Sequence, residues 1–266
     1  MAERERHSAV IHPPALPGLE VVDLVSGRSF PRHAHDQFGL GVLVRGAQRS
    51  WSGRGPVEAA AGDVITSNPG EMHDGAPAGG AARAWRMVYL SPALAAQHLG
   101  AGAEIARPVI RDRRLRDAVL TLLARARQDA GADRLAVDEA LAHALALVAT
   151  GYAAQGLKAP ATNGGVALAR ARLDADPAAA VSLDELAGLE GLSPFQLLRS
   201  FARELGITPH AYQTQLRIRL ARRLLAAGRP PAEVAQTCGF SDQSHLNRAF
   251  LRQVGVTPGR YRAALS

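Results

Sequence analysis

The chain has almost no cysteine. Among its 266 residues Cys238 stands alone, which excludes an internal disulfide framework and any zinc module built on cysteine ligands. Beside Gly239 and Phe240 it is expected to pack in a turn, with no reactive role. Long apolar runs are missing too. The start, "MAERERHSAV", has charges with no apolar stretch behind them, so it does not look like a secretory signal. The most apolar helical segment, "LAHALALVATGYAA", is too short and too interrupted to cross a bilayer. A soluble, cytoplasmic protein is therefore expected. Acidic residues are in deficit, 24 against 31 basic ones for a net charge of +7, and residues 166–266 hold 13 arginines against 8 acids. Such an excess is drawn to polyanions, whether nucleic acid or an acidic membrane surface, and only a motif can say which.

The length allows two cores. Between about residues 20 and 90, short alternating runs broken by Gly, Pro and Asn predict an all-β unit, a barrel or a sandwich. In "FGLGVLVRG" Phe38, Leu40, Val42 and Val44 should share one strand face, and in "AWRMVYL" Trp85, Met87 and Tyr89 should do the same. From about residue 112 the period becomes helical, with Leu115, Val119, Leu122 and Leu123 on one side and Arg113, Arg116, Arg125 and Arg127 largely on the other. A second helix is expected near 134–155. These helices either cover the barrel or associate with a second copy, since a stripe does not name its partner. "GLKAPATNGG" has linker composition and no apolar period crosses it. The expected architecture is α+β in two domains: residues 1–155 a barrel with a helical connector, 156–165 a linker, and 166–266 an all-α domain.

That last domain contains one unit twice. A shift of 49 positions carries Leu197 onto Leu246, Arg199 onto Arg248, Phe201 onto Phe250, Arg203 onto Arg252, Gly206 onto Gly255, Thr208-Pro209 onto Thr257-Pro258 and Tyr212 onto Tyr261. Ser182 with Glu185, and Ser193 with Gln196, have capping-box spacing, Pro194 suits a first helical position, and Gly206 and Gly255 suit a helix end. Helix, glycine-bearing turn, helix is the unit. In the first copy Leu197, Phe201 and Leu205 should be buried, leaving Phe195, Gln196, Leu198, Arg199 and Arg203 outward. In the second, Leu246, Phe250 and Val254 should be buried, leaving Gln243, Ser244, Asn247, Arg248, Leu251 and Arg252 outward. Gln and Asn can pair with adenine, Arg with guanine, Ser with base or phosphate, and Phe195 and Leu198 can meet thymine methyl groups. An isolated helix with this face would be an ordinary solvated one; its duplication favours DNA.

"VAQTCGFSDQSHLNRAFLRQVGVTPGRYR", residues 234–262, resembles the signature of the AraC/XylS transcription regulators, and the likeness runs over about residues 182–262. It implies two helix-turn-helix subdomains joined by a long helix, here near 209–227, each placing its second helix in the major groove of double-stranded DNA. "PRHAHDQFGLGVLVRG" followed by "AGDVITSNPGEMHDG" is similar to the two short motifs of a cupin barrel, the sensor domain common in that family. His33 and His35 lie two apart on an extended strand, so both imidazoles point one way, and His73 after the Asn68-Pro69-Gly70 turn can return a third. Three converging imidazoles suit zinc, nickel, copper or iron. The cupin pattern implies a glutamate three or four residues beyond the second histidine, where Gly39 and Leu40 stand, which argues against oxygenase-type chemistry. Trp51, Trp85, Met87 and Tyr89 could line a cavity in which the histidines and Arg86 orient a small polar ligand, or be plain barrel core.

The reading is a regulator that binds DNA and senses a small-molecule effector, not an enzyme, with no cofactor expected unless His33, His35 and His73 hold a metal. A homodimer is a further possible partnership, and RNA polymerase is one if the protein activates. The rival readings are a metal-dependent cupin enzyme with a DNA-binding tail, and a DNA-binding protein whose barrel only dimerises.

Overall fold

A computed structural model of the chain describes residues 7–53, 55–127, 133–155 and 165–265. It divides into two compact units, Met1–Leu157 and Lys158–Ala264. Residues 156–164 of the expected linker lie outside the described residues.

The first unit runs β1 (Ser8–His12), β2 (Leu19–Ser26), β3 (Phe30–His33), β4 (Phe38–Arg45), β5 (Ala47–Ser52), β6 (Gly55–Ala60), β7 (Val64–Ser67), β8 (His73–Pro77), β9 (Arg83–Leu90), α1 (Pro92–Leu99), β10 (Ala103–Ile105), β11 (Val109–Ile110), α2 (Arg113–Ala126), α3 (Arg134–Gly151) and β12 (Ala153–Gln155). A six-stranded sheet in the order β1-β2-β9-β4-β7-β11 faces a four-stranded one, β3-β8-β5-β6, and β10 pairs with β12. The sheets are antiparallel, and period-two alternation sorts their side chains. Val21, Leu40, Val42, Val64, Val88 and Leu90 point to one face of the larger sheet and join Leu115, Val119 and Leu122 of α2 and Leu141, Leu145 and Val148 of α3 in one core. The stripes of both helices therefore cover the sheet. Trp85, Met87 and Tyr89 point to the opposite face, toward the smaller sheet, where Trp85 meets Phe30 edge-on with centroids 5.8 Å apart.

Val44 departs from its expected place. The pairing of β4 with β9 shifts between Leu43 and Arg45, a bulge that turns Val44 outward to 37% exposure while Leu43 is fully buried.

The second unit is helical: α4 (Ala167–Ala175), α5 (Leu183–Leu189), α6 (Pro194–Leu205), α7 (Pro209–Ala226), α8 (Pro231–Thr237), α9 (Gln243–Val254) and α10 (Pro258–Leu265). No described helix is long and apolar enough to cross a membrane. Each end of α6 is set by chemistry visible in the sequence. Ser193 Oγ accepts from the Gln196 N–H while Gln196 Oε1 accepts from the Ser193 N–H, and Gly206 closes the helix at φ +72°. Gly255 closes α9 the same way at φ +86°. Replacing Ser193 by alanine breaks this box, and we expect a loss of about 1 kcal/mol in chemical denaturation.

The repeat is structural as well as sequential. Phe201 and Tyr212 meet with centroids 5.7 Å apart at 68°, and Phe250 and Tyr261 at 5.4 Å and 69°. Each tyrosine hydroxyl accepts from an arginine Nε, Arg170 at 3.1 Å in the first copy and Arg222 at 3.2 Å in the second. Burial and the bond it donates to Asp174 push the Tyr212 phenol up to about 12, so it stays protonated. One expected core residue of the second copy differs. Val254 is only half-buried, and Leu246, Ala249 and Phe250 form the inward stripe, because the left-handed Gly255 turns the chain away at the helix end.

Candidate nucleic-acid interface and ligand site

The second helix of each copy carries the outward face. On α6, Phe195 is 67% exposed, Gln196, Arg199 and Arg203 are exposed and Leu198 is half-buried; on α9, Gln243, Ser244, Arg248, Leu251 and Arg252 are exposed and Asn247 is half-buried. Gln243, Asn247 and Leu251 form one row four residues apart, and Ser244, Arg248 and Arg252 the adjacent one, so both rows run along one side of the helix. The Arg199 guanidinium lies over the Phe195 ring, 5.7 Å from its centroid, and Arg203 Nη2 donates to Ser200 Oγ at 3.3 Å. Asp242 caps α9, its carboxylate accepting from the His245 N–H at 2.7 Å, and that bond holds its pKa below the usual range. Gln196, expected among the outward residues, also closes the capping box. Its Oε1 accepts from both the backbone N–H and the hydroxyl of Ser193, so two-point pairing of this amide with adenine would require the box to open.

A residue that sequence reasoning missed holds the two copies together. Arg217, midway along α7, donates from Nε to the Pro177 carbonyl (2.8 Å), from Nη1 to Gly239 (2.6 Å) and from Nη2 to Ala179 (3.1 Å) and Ala178 (3.4 Å). Gln213, one turn earlier, donates to Pro177 and Ala179. Gly239 has φ +74°, and a Cβ there would collide with the Ala178 carbonyl oxygen. The segment before α5 and the turn before α9 are thus clamped to one helix. Their only signal in the sequence is Gly239 itself, ahead of a helix cap.

In the first unit, His33 and His73 stand directly opposite each other on β3 and β8, and His35 follows β3. The three rings lie with centroids 4.4 to 5.1 Å apart, and one nitrogen from each falls within 4.8 Å of the others. Two carbonyls orient them: Nδ1 of His33 is 2.8 Å from the Pro31 oxygen and Nδ1 of His73 is 3.0 Å from the Glu71 oxygen. A carbonyl only accepts, so these contacts place a proton on Nδ1, and in the neutral ring the lone pair is then on Nε2. The Asn68-to-Glu71 turn delivers His73. Asn68 binds Glu71 and, through both amide atoms, the backbone of Ile105, while the Gly70 N–H donates to the His35 carbonyl. Burial lowers the pKa of His73, favouring neutral imidazole. Tyr89 reaches this group, its ring 5.1 Å from that of His35.

Gly39, where the cupin pattern has an acid, faces the same interior. A Cβ there would collide with Ser67 Oγ and stand 3.1 Å from Met87 Cε, so those two side chains fill the place of a fourth ligand. Two of the residues expected around the histidines point elsewhere. Trp51 stacks on Arg32, 3.8 Å from guanidinium to ring centroid, and its backbone N–H donates to Asp74; both partners neighbour a histidine in their strands and so lie on the opposite face of the small sheet. Arg86 pairs with Val42, whose side chain joins the core under α2 and α3, so it too lies on the far side of its sheet. The histidines, Tyr89, Met87 and Trp85 share the interior.

Two family models match: an AraC-like ligand binding domain over residues 23–145 and a helix-turn-helix domain over residues 186–264. The chain has the domain pair of AraC-type transcription regulators. Similar to this chain are the probable transcriptional regulator LumQ of Photobacterium leiognathi, 41% identical over 83 residues (31% of this chain, 34% of LumQ), and the uncharacterized HTH-type transcriptional regulator YbfI of Bacillus subtilis (strain 168), 47% identical over 66 residues (25% and 24%). The chain spans about a third or less of the length of these curated relatives. Among solved structures, unsaturated fatty acid bound ToxT from Vibrio cholerae shares the fold, with a TM-score of 0.51 at 12% identity over 100% of this chain and 98% of that one.

Proposed function

We propose that this protein is a sequence-specific DNA-binding transcription regulator whose barrel senses a small-molecule effector. The observation that carries the reading is the doubled framework of the second unit. Two helices, α6 and α9, are held by the same Phe–Tyr–Arg contacts and each turns a row of polar and basic side chains outward. Solvation alone asks for no second copy; two successive major-groove segments do. Mobility-shift titration on a selected duplex at several salt concentrations tests it. Binding should weaken steeply with salt and survive competition by unrelated DNA, whereas equal affinity for every duplex would contradict a regulator.

For the barrel, the effector is taken up in the interior between the two sheets, where polar imidazoles stand beside Tyr89, Met87 and Trp85. A second reading rests on the pinned Nδ1 protons, which orient imidazoles as they are oriented around metals. Tetrahedral zinc would ask for nitrogens about 3.3 Å apart, and the nitrogens here lie within 4.8 Å of one another, so modest ring rotation brings them to a metal. His33, His35 and His73 would then hold a divalent transition ion that supplies an open coordination position to the effector. Elemental analysis and thermal melting of purified protein separate the readings. With a metal, chelator lowers Tm and alanine at any one of the three histidines abolishes the chelator effect. With an organic effector alone, chelator leaves Tm unchanged and each alanine removes the effector's influence on DNA binding.

A further inference from the structure

Arg83, at the start of β9, is 1% exposed and among the largest fully buried side chains of the protein. A guanidinium is rarely buried without an acid, because an unpaired charge in a low dielectric is costly. All the hydrogen-bond partners of Arg83 are neutral. Nε donates to Gln48 Oε1 at 3.1 Å, and Nη1 donates to the carbonyls of Arg28 at 3.0 Å and Ser26 at 3.5 Å. Its flat face lies 4.8 Å from the Trp85 centroid and 5.6 Å from that of Phe30. Burial lowers its pKa to about 10, which leaves it charged at neutral pH. Nη2 takes part in none of these bonds.

A second orphan stands beside it. Ser50 Oγ is buried with no hydrogen-bond partner. Both donors converge on the bare face of Gly75 in β8: a Cβ built there would lie 3.3 Å from Arg83 Nη2, 3.6 Å from Ser50 Oγ and 4.0 Å from Gln48 Oε1. The seat has one charged donor and one hydroxyl, an amide oxygen already engaged by Nε, and aromatic walls. Its complement is an acceptor that carries negative charge on an apolar body. Six residues separate Arg83 from Tyr89 along β9, about 20 Å of strand, so this seat is distinct from the histidine group at the other end of the interior.

We propose that Arg83 and Ser50, over Gly75, seat the carboxylate of an apolar monocarboxylic acid, which makes such an acid the effector class of the barrel. The chemistry of the seat follows from the orphan donors alone; its identification with the effector rests on the sensor reading above. A water molecule could satisfy both donors, but it would leave the guanidinium charge unmatched.

The test uses the full chain with 4-phenylbutyrate, its neutral amide 4-phenylbutyramide, and acetate and phosphate as bare anions, followed by calorimetry and thermal melting. We expect saturable binding of 4-phenylbutyrate with a raised Tm, at least tenfold weaker binding of the amide, and no comparable response to acetate or phosphate. Gly75→Ala fills the seat with a methyl 3.3 Å from Arg83 Nη2, which must give by a few tenths of an ångström, and its φ needs no left-handed backbone, so it should fold and bind the acid at least tenfold more weakly. Ser50→Ala should weaken it severalfold. Equal binding of acid and amide, unchanged affinity in Gly75→Ala, or no binding of the acid at all would each overturn the seat. A response to acetate or phosphate equal to that of the acid would overturn the apolar class and leave a simple anion site. Mobility shift with and without the acid separates the two levels. Acid that binds at the seat without altering operator affinity defeats the sensor reading and leaves the seat standing. Operator affinity that responds to the acid equally in wild type and Gly75→Ala defeats the seat and leaves the sensor.

Discussion

Replacing Arg217 by alanine is expected to destabilise the helical unit by about 3 to 5 kcal/mol in chemical denaturation. The guanidinium bonds the carbonyls of Pro177, Ala178, Ala179 and Gly239, and charge-assisted bonds to partly buried acceptors contribute about 1.5 to 3 kcal/mol each before the survivors rearrange. Gln213 still donates to Pro177 and Ala179, which keeps the loss below the full sum. Burial lowers the pKa of Arg217. Gly239→Ala attacks the same junction from the other side, through the Ala178 carbonyl and a left-handed φ. Because both act on one contact, the double variant should cost clearly less than the two single losses added together. Additive losses, or an Arg217→Ala effect under about 1 kcal/mol, would mean that these carbonyls are solvated and that the two copies are joined by apolar packing alone.

The second large effect is on DNA. Arg248 lies in the first half of α9, one turn after Ser244, and Arg252 lies at its last turn. A recognition helix enters the groove by its N-terminal half, so Arg248 is placed for a guanine edge and Arg252 for a phosphate. Arg248→Ala should cost about 1 to 3 kcal/mol on the preferred site, about 5- to 150-fold in affinity, and relax preference at one base pair. Arg252→Ala should weaken all duplexes alike and lower the salt slope by about one. Competition binding against single-base variants reads both. Identical behaviour of the two substitutions would refute the assignment of roles.

Local chemistry made much of this architecture readable. The capping box at Ser193, the left-handed glycines at 206 and 255 and the stripes Leu197–Phe201–Leu205 and Leu246–Phe250 are decided within one helical turn, and they stand where the sequence puts them. Alternation placed Trp85, Met87 and Tyr89 on one face of β9, and His33 and His73 meet across a strand pair. What escaped was set by non-local geometry. The bulge at Val44 comes from pairing with β9, which β4 does not announce. Trp51 as cavity lining and Arg86 as a ligand-orienting group are expected beside the histidines, but their faces follow from strand register, where one residue decides inside or outside. Nothing in the pattern around Arg83, Arg217 and Arg222 sets them apart from the solvated charges of a basic chain. Each instead lays its stem through packed surroundings and spends its guanidinium on carbonyls, an amide or a phenol, a use that composition and periodicity do not distinguish from exposure.

The claim that two helices read two successive groove segments is tested most directly by footprinting the full chain on its preferred duplex, beside Arg199→Ala and Arg248→Ala, the equivalent positions of the two copies. The account predicts two protected segments on one face of the DNA, about 34 Å or one helical turn apart. Arg199→Ala should weaken protection and base preference in one segment, and Arg248→Ala in the other. A single protected segment, or two substitutions that fade the same positions equally, would contradict it.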